Sequence, residues 1–150
     1  SHRFVTLFYS DFDAESRKLR FANAAHNPPL LWSARSKSIN RLDAPGLLIG
    51  LQPEAEYGCG EIILQPGDVL LYYTDGVTEA PGISGDRFDE NRLITIFGKL
   101  SKEGGGAQQI LNNLFKRLDG FVGVDHELED DASMVVLKVN EELTLPELCK

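Results

Sequence analysis

Apolar residues recur along this chain with two periods, one typical of strands and the other typical of helices. Short apolar runs bounded by turn-forming residues predict strands at 4–9, 18–24, 30–32, 39–42, 61–64, 69–72 and 134–139. The runs at 4–9 and 69–72 are apolar at consecutive positions, which is typical of central strands that are buried on both faces.

Two segments, 89–100 and 107–118, have the period of helices. Apolar residues repeat at i, i+3, i+4 and i+7 in each: Leu93, Ile96, Phe97 and Leu100, then Leu111, Leu114, Phe115 and Leu118. Glycines at 104–106 connect the two helices, and Gly120 is predicted to end the second. Because each helix has one apolar face, both should lie on a sheet. The pattern therefore predicts an α+β fold with a mostly antiparallel sheet and helices on one side.

The amino-acid composition and net charge argue against several classes of function. The 150 residues are 42% hydrophobic and 25% charged, which is ordinary for one globular domain. The net charge of −8 opposes nucleic-acid binding, which needs basic patches. No apolar run approaches the roughly 20 residues that cross a bilayer, so membrane insertion is not expected. The two cysteines, Cys59 and Cys149, have no pairing or zinc-binding pattern, which fits a reducing cytoplasm.

The first candidate for chemistry is the pair Asp75 and Gly76, which follows the apolar run at 69–72 and so places a carboxylate at a strand end. Gly76 has no Cβ, so its backbone carbonyl and the Asp75 carboxylate can approach one bound object closely. Oxygen ligands suit a hard cation such as Mg²⁺ or Mn²⁺. Asp-Gly is also the commonest sequence for a tight hairpin turn, and the motif alone leaves that alternative open.

A second acidic cluster lies directly before the last strand. Its carboxylates are Glu127, Glu129, Asp130 and Asp131. An isolated cluster of this kind is most simply a solvated loop. Two acidic strand ends in one domain, however, favour a shared cation site.

Six segments occur in an order that resembles a known family. They are FVTLFY at 4–9, LRFANAAHNPPL at 19–30, QPGD at 65–68, YTDGVTEA at 73–80, the segment 88–93, and DDAS at 130–133. Over roughly residues 3 to 139 the chain resembles the metal-dependent serine/threonine protein phosphatases of the bacterial PP2C-like branch, the SpoIIE and RsbU type. The complete domain of that family is an α-β-β-α sandwich, of which this chain should supply much of both sheets and one helical layer.

The resemblance implies a phosphatase in which two Mn²⁺ or Mg²⁺ ions share a bridging water that attacks phosphorus. Asp75 and Gly76 match the family's metal-ligand position after the central strand, and Asp130 matches the first aspartate of its Asp-Asp-x-Thr motif, also a ligand. Asp131 occupies the next position, where it is expected to orient the site rather than bind metal. No catalytic residue beyond these is implied.

Departures from the family pattern are also visible. The upstream segment with an early aspartate and an Asp-x-x-Gly-His-Gly type motif, which supplies further ligands in relatives, is not found in the 150 residues. We therefore expect residues 1–140 to be the C-terminal portion of the domain, lacking its N-terminal part, and residues 141–150 to be a tail. Ala25 stands where relatives usually have Gly, which matters if that position needs a positive φ. Ser133 stands where Thr is usual and keeps the hydroxyl.

Three other polar residues have simpler explanations than catalysis. His26 is more simply a residue that holds a turn than an acid or base. Glu79, four residues after Asp75, is a weaker candidate for holding a metal-bound water. Asp68, after Pro66 and Gly67, is expected to be a turn residue and not a ligand.

The resemblance implies a cytoplasmic enzyme of bacterial signalling that hydrolyses phosphoserine or phosphothreonine on a regulatory protein, such as an anti-sigma-factor antagonist. An upstream sensor or receiver domain is expected in the parent protein. The alternative is a non-catalytic regulatory or interaction module that keeps the fold without the chemistry. Unpaired sheet edges near 4–9 would favour a homodimer in the isolated chain, since a second copy could cover them.

Overall fold

The computed structural model of the chain describes residues 3–123 and 130–140. The strands in this part are β1 Leu7–Asp13, β2 Lys18–Ala24, β3 Leu30–Ser33, β4 Ser38–Arg41, β5 Cys59–Ile63, β6 Val69–Tyr73 and β7 Met134–Lys138. The helices are α1 Asp75–Thr78, α2 Glu90–Glu103 and α3 Ala107–Val122. Residues 127–129 of the second acidic cluster and the expected tail at 141–150 lie outside the described residues.

The strands form two sheets. One has the order β1-β2-β5, the other has the order β4-β3-β6-β7, and every ladder between these strands is antiparallel. Helices α2 and α3 pack on the four-stranded sheet, where α2 contacts β3 and β4 and α3 contacts β7. The α+β prediction with antiparallel sheets and one helical layer is confirmed.

Two apolar cores lie on opposite faces of the four-stranded sheet. Between the sheets, Leu19 and Phe21 of β2 pack with Leu31 and Leu70. Between the sheet and the helices, the buried set is larger and contains Leu30, Trp32, Leu71, Val77, Phe88, Leu93, Phe97, Ile110, Leu114, Leu118 and Val122. Strand β6 contributes to both cores, as expected for a strand that is apolar at consecutive positions.

The helices differ from prediction at their ends and in the face of α3. The Asp89 side chain accepts a hydrogen bond from the Arg92 amide and caps α2. Helix α3 passes through Gly120 and is capped by Gly123 at φ 87°, so the predicted end was wrong. Its buried residues repeat every four positions at 110, 114, 118 and 122, whereas Leu111 and Phe115 are only partly buried against the same core.

Strand β1 differs from the predicted strand at 4–9. It begins at Leu7, ends at Asp13 and lies at the edge of the described three-stranded sheet, which agrees with the expected unpaired edge near 4–9 and contradicts the prediction of a central strand. Leu7 and Tyr9 are 49% and 62% exposed. Apolar residues on both faces indicated burial on both faces, but in the described structure the outward residues of this strand are uncovered.

None of the described helices is both long enough and apolar enough to cross a bilayer.

Candidate functional site

Thr74 ties the end of β6 to the segment that leads into β7. Its amide donates to the Ser133 carbonyl at 3.1 Å, and its hydroxyl accepts from the Ser133 amide at 3.0 Å. The same hydroxyl donates to the Asp131 carbonyl at 3.3 Å. These bonds bring together two segments that are 59 residues apart in the chain. The two acidic strand ends are therefore neighbours.

Gly76 is needed for this close approach. A Cβ at Gly76 would lie 2.3 Å from the Asp131 carbonyl oxygen, far inside van der Waals contact. The space that its missing side chain leaves is filled by the backbone of the acidic segment. The sequence analysis explained this glycine by the close approach of a bound ion. The structure adds another explanation, because the backbone of Asp131 occupies the space where a side chain would be.

Asp75 is the first residue of α1, a single helical turn rather than the hairpin turn that Asp-Gly also allows. Its side chain and those of Asp130 and Asp131 are exposed. One Asp130 oxygen accepts a hydrogen bond from the Asp131 amide at 2.8 Å, which fixes that carboxylate against its own backbone. Exposed carboxylates therefore occur at both of the neighbouring strand ends.

Oxygen donors of this kind suit Mn²⁺ or Mg²⁺, but their number is low. Among residues 3–123 and 130–140, no group of three or more His, Cys, Asp or Glu side chains could hold a metal ion. Asp75 and Asp130 therefore form at most part of a ligand set. Their assignment as ligands remains a prediction.

A cavity of about 220 Å³ opens beside the site, between the two sheets. Thr74 and Ser133 line one side, while Thr6, His26 and Tyr72 line others. The Thr6 hydroxyl and Nδ1 of His26 are hydrogen bonded at 2.9 Å. The imidazole thus has a neutral hydroxyl partner in this cavity.

The turn at His26 is held by Asn23, which sequence reasoning missed. The Asn23 side chain accepts from the His26 amide at 2.8 Å, and its nitrogen donates to the His26 carbonyl at 3.0 Å and to Asp43 at 2.8 Å. Only 3% of Asn23 is exposed. Ala25 within this turn has a φ of 53°, so the position does require the backbone conformation that favours glycine.

The other two acidic residues considered above have structural partners. Asp68 is buried, and its carboxylate accepts hydrogen bonds from the amides of Ala34 at 2.9 Å and Gln65 at 2.8 Å, which agrees with a turn residue. Glu79 forms an ion pair with Arg87 at 3.0 Å.

A second feature that the sequence did not signal lies behind the site. The buried Tyr73 hydroxyl donates to Glu90 at 2.7 Å, and Arg41 donates to both oxygens of the same carboxylate. The hydrogen bond from Arg41 holds the pKa of Glu90 below its usual value, and burial raises the pKa of Tyr73. The network joins β4, the end of β6 and the start of α2.

Two packed antiparallel sheets, a helical layer and acidic residues at neighbouring strand ends are the features of a PP2C-like phosphatase domain. The profile of one family, Stage II sporulation protein E (SpoIIE), matches residues 1–140. The chain belongs to this family.

Comparison with curated proteins and solved structures agrees with this assignment. The chain is 28% identical over 137 residues to the phosphoserine phosphatase RsbU of Bacillus subtilis, covering 90% of this chain and 39% of that protein. It is 28% identical over 123 residues to protein IcfG of Synechocystis, covering 81% of this chain and 19% of that protein. The chain thus spans well under half of the length of either relative.

Two solved structures show the same fold. The RsbU and RsbW domains of a Mycobacterium tuberculosis protein match with a TM-score of 0.74 at 18% identity, over 93% of this chain and 38% of that one. The phosphatase domain of the cell fate determinant SpoIIE from Bacillus subtilis matches with a TM-score of 0.69 at 21% identity, over 93% of this chain and 58% of that one.

Proposed function

We propose that the chain is part of a metal-dependent serine/threonine protein phosphatase that hydrolyses phosphoserine or phosphothreonine on a regulatory protein. The observation that carries the proposal is the junction of Thr74 with residues 131–133, which brings the Asp75 and Asp130 strand ends together. Family membership and the likeness to a phosphoserine phosphatase support the same activity.

In this proposal Asp75, the Gly76 carbonyl and Asp130 hold Mn²⁺ or Mg²⁺, together with ligands from outside the described residues. When bound, two such ions would supply an activated water and would neutralise charge on the phosphoryl oxygens. The chain's own contribution is to position the carboxylates. Thr74 does this through its amide and its hydroxyl, and Gly76 does it through the close approach that its missing side chain allows. The Asp131 amide binds the Asp130 carboxylate at 2.8 Å.

The test uses the full-length protein with Mn²⁺ and a phosphoserine peptide. Asp75→Asn and Asp130→Asn should each lower turnover by orders of magnitude while circular dichroism stays unchanged, because a ligand is lost and not a packing residue. Asp131→Ala keeps the backbone amide that binds Asp130 and removes only the side chain, so it should lose less, about 10- to 100-fold. Asp119→Asn, an exposed aspartate on α3, is the control. Full activity in the first two variants would refute the proposed ligands.

A non-catalytic module is the second candidate, and one observation favours it. Too few metal-ligating side chains stand together in the described residues to hold a metal ion. The phosphatase and the non-catalytic module predict different results in one assay. Absence of Mn²⁺-dependent turnover in the full-length wild type, with the fold intact, would establish the module.

The protein context is proposed on the same basis. The relatives are longer than this chain, which supports a further sensor or receiver domain in the parent protein. Likeness to RsbU supports a bacterial signalling role in the cytoplasm, with a phosphorylated anti-sigma-factor antagonist as the class of substrate.

A further inference from the structure

A short hairpin, residues 78–89, follows the Asp75 turn directly. The Glu79 amide donates to the Asp75 carbonyl at 2.8 Å, so the hairpin begins one turn beyond the proposed ligand. Its two arms are joined by the bond from the Asp89 amide to the Thr78 carbonyl at 2.8 Å and by a bridge between Pro81 and Arg87. The hairpin therefore lies next to the proposed site.

Arg92 of α2 holds the backbone of this hairpin in place. Its guanidinium donates to the Arg87 carbonyl at 2.6 Å and pairs with Asp86 at 2.6 Å. The same group lies 4.6 Å from the centre of the Phe121 ring. Arg92 thus binds the Arg87 backbone directly and is itself held by Asp86 and Phe121.

The side chain of Arg87, by contrast, is free to change partner. Arg87 and Glu79 side chains are 65% and 59% exposed, and a single contact of 3.0 Å joins them. Exposed pairs of this kind are worth little, typically below about 1 kcal/mol, because water competes for both groups. An incoming carboxylate can therefore replace Glu79 at small cost.

Geometry sets which part of a substrate would meet Arg87. Four helical residues advance the chain by about 6 Å from Asp75 to Glu79, and an extended peptide advances about 3.3 to 3.6 Å per residue. A peptide whose phosphoserine lies at Asp75 would thus place the residue about two positions away beside the Glu79–Arg87 pair. In a chain with a net charge of −8, a guanidinium that can exchange Glu79 for a substrate carboxylate makes a local exception to the overall repulsion of acidic substrates.

We propose that Arg87 is a specificity-determining residue that selects phosphoserine sequences with acidic neighbours, and that Glu79 is the internal carboxylate with which they compete. The proposal rests on the proposed phosphatase function and adds the substrate sequence class to it. Guanidinium suits this role because it binds carboxylate through two parallel hydrogen bonds.

The experiment measures kcat/KM of the full-length protein for two phosphoserine peptides. One has Glu and the other has Gln two positions from the phosphoserine on both sides. The wild type should prefer the Glu peptide by about threefold, the size expected of an exposed ion pair. Arg87→Gln should abolish the preference, and Glu79→Gln should increase it. Arg35→Gln, an exposed arginine in the turn between β3 and β4 at the opposite end of the sheet, should leave the ratio unchanged.

The ratio separates recognition from folding, because a general loss of structure would lower turnover of both peptides alike. p-Nitrophenyl phosphate, assayed in parallel, reports the chemistry without a peptide. Mn²⁺-dependent turnover of p-nitrophenyl phosphate by a wild type that shows no peptide preference would overturn the role of Arg87 alone. No turnover of any of the three substrates would overturn the proposed function, and this inference with it.

Discussion

Ala25 has a backbone conformation that costs a residue with a Cβ about 1 to 2 kcal/mol. Its φ is 53°, and the turn around it is held by the buried Asn23. Glycine removes the steric cost but is more flexible in the unfolded chain, which offsets part of the gain. Ala25→Gly should therefore stabilise the protein by up to about 1 kcal/mol in urea unfolding. Ala22→Gly, in the middle of β2, is the matched control and should destabilise by about 0.5 to 1 kcal/mol. Destabilisation by both variants would contradict the prediction.

Gly76 and Gly120 both lie in helices. We expect substitution by alanine to change the free energy of unfolding in opposite directions at the two positions. A Cβ at Gly76 would meet the Asp131 carbonyl, whereas a Cβ at Gly120 would meet nothing within 4 Å. Gly76→Ala should therefore cost about 1 to 3 kcal/mol and displace the acidic segment. Gly120→Ala should stabilise by about 0.5 to 1 kcal/mol, since alanine favours helix. Equal effects in thermal unfolding would show that the contact at Gly76 is not tight.

Individual ligand candidates could be proposed from sequence because Asp75 follows an apolar run and Asp130 precedes one, and each run marks a strand. The contacts that join them could not. Thr74 meets Ser133 across 59 residues, and no local pattern in the chain marks that pairing. Asn23 was missed for a similar reason, because its partners His26 and Asp43 are set by how two loops meet.

At the scale of elements, the network of Arg41, Tyr73 and Glu90 joins two strands to a helix. The hydrogen bond from Arg41 lowers the pKa of Glu90 in the folded protein, so the carboxylate contributes stability above its ordinary pKa of 4.5. That contribution is lost as pH falls through the lower folded pKa, where the carboxylate takes up a proton.

Glu90→Gln should therefore destabilise at pH 7 by about 1 to 3 kcal/mol, the value of hydrogen bonds to a charged group. As pH falls below 4.5 and through the lower folded pKa of Glu90, the difference in unfolding free energy between the wild type and the variant should shrink. Urea unfolding at a series of pH values measures it, with Glu103→Gln at the end of α2 as the control. A difference that is constant with pH would show that the charge of Glu90 does not matter.

Element positions were predictable where periodicity reflects burial, as in β2, β6 and α2. Burial was not predictable where it depends on which other elements pack against a strand or a helix. The apolar residues of 4–9 have the pattern of a buried strand, yet Leu7 and Tyr9 are exposed at a sheet edge. For α3 the positions 110 and 111 are adjacent apolar residues, and only the fit against β7 decides which of them is fully buried.

At the scale of the whole molecule, two features determine how the isolated chain should behave. The described residues offer few metal ligands, and β1 lies at a sheet edge. Residues 1–150 alone should bind Mn²⁺ weakly and show no measurable turnover of a phosphoserine peptide, because two carboxylates leave most of the coordination shell to water. The exposed edge of β1 should favour self-association. Calorimetric titration, a phosphate-release assay and analytical ultracentrifugation test these points together.

Tyr9→Lys is the matched variant, since a charged side chain on an edge strand opposes pairing with another chain. It should shift the isolated chain toward monomer without changing Mn²⁺ binding. Tight metal binding with robust turnover by a monomer would mean that residues 1–150 hold a complete site.

The pairing of β6 with β7 also determines when the site can exist during synthesis. Tyr73 is in register with Met134. The strand end that carries Asp75 can therefore pair with β7 only after about sixty further residues have been synthesised. Everything needed for the three-stranded sheet, by contrast, has been translated once residue 63 is complete. A nascent chain can therefore bury part of its core long before its acidic strand ends meet. Any ribosome stall or proteolytic cut before β7 would leave a partly folded product with no assembled site.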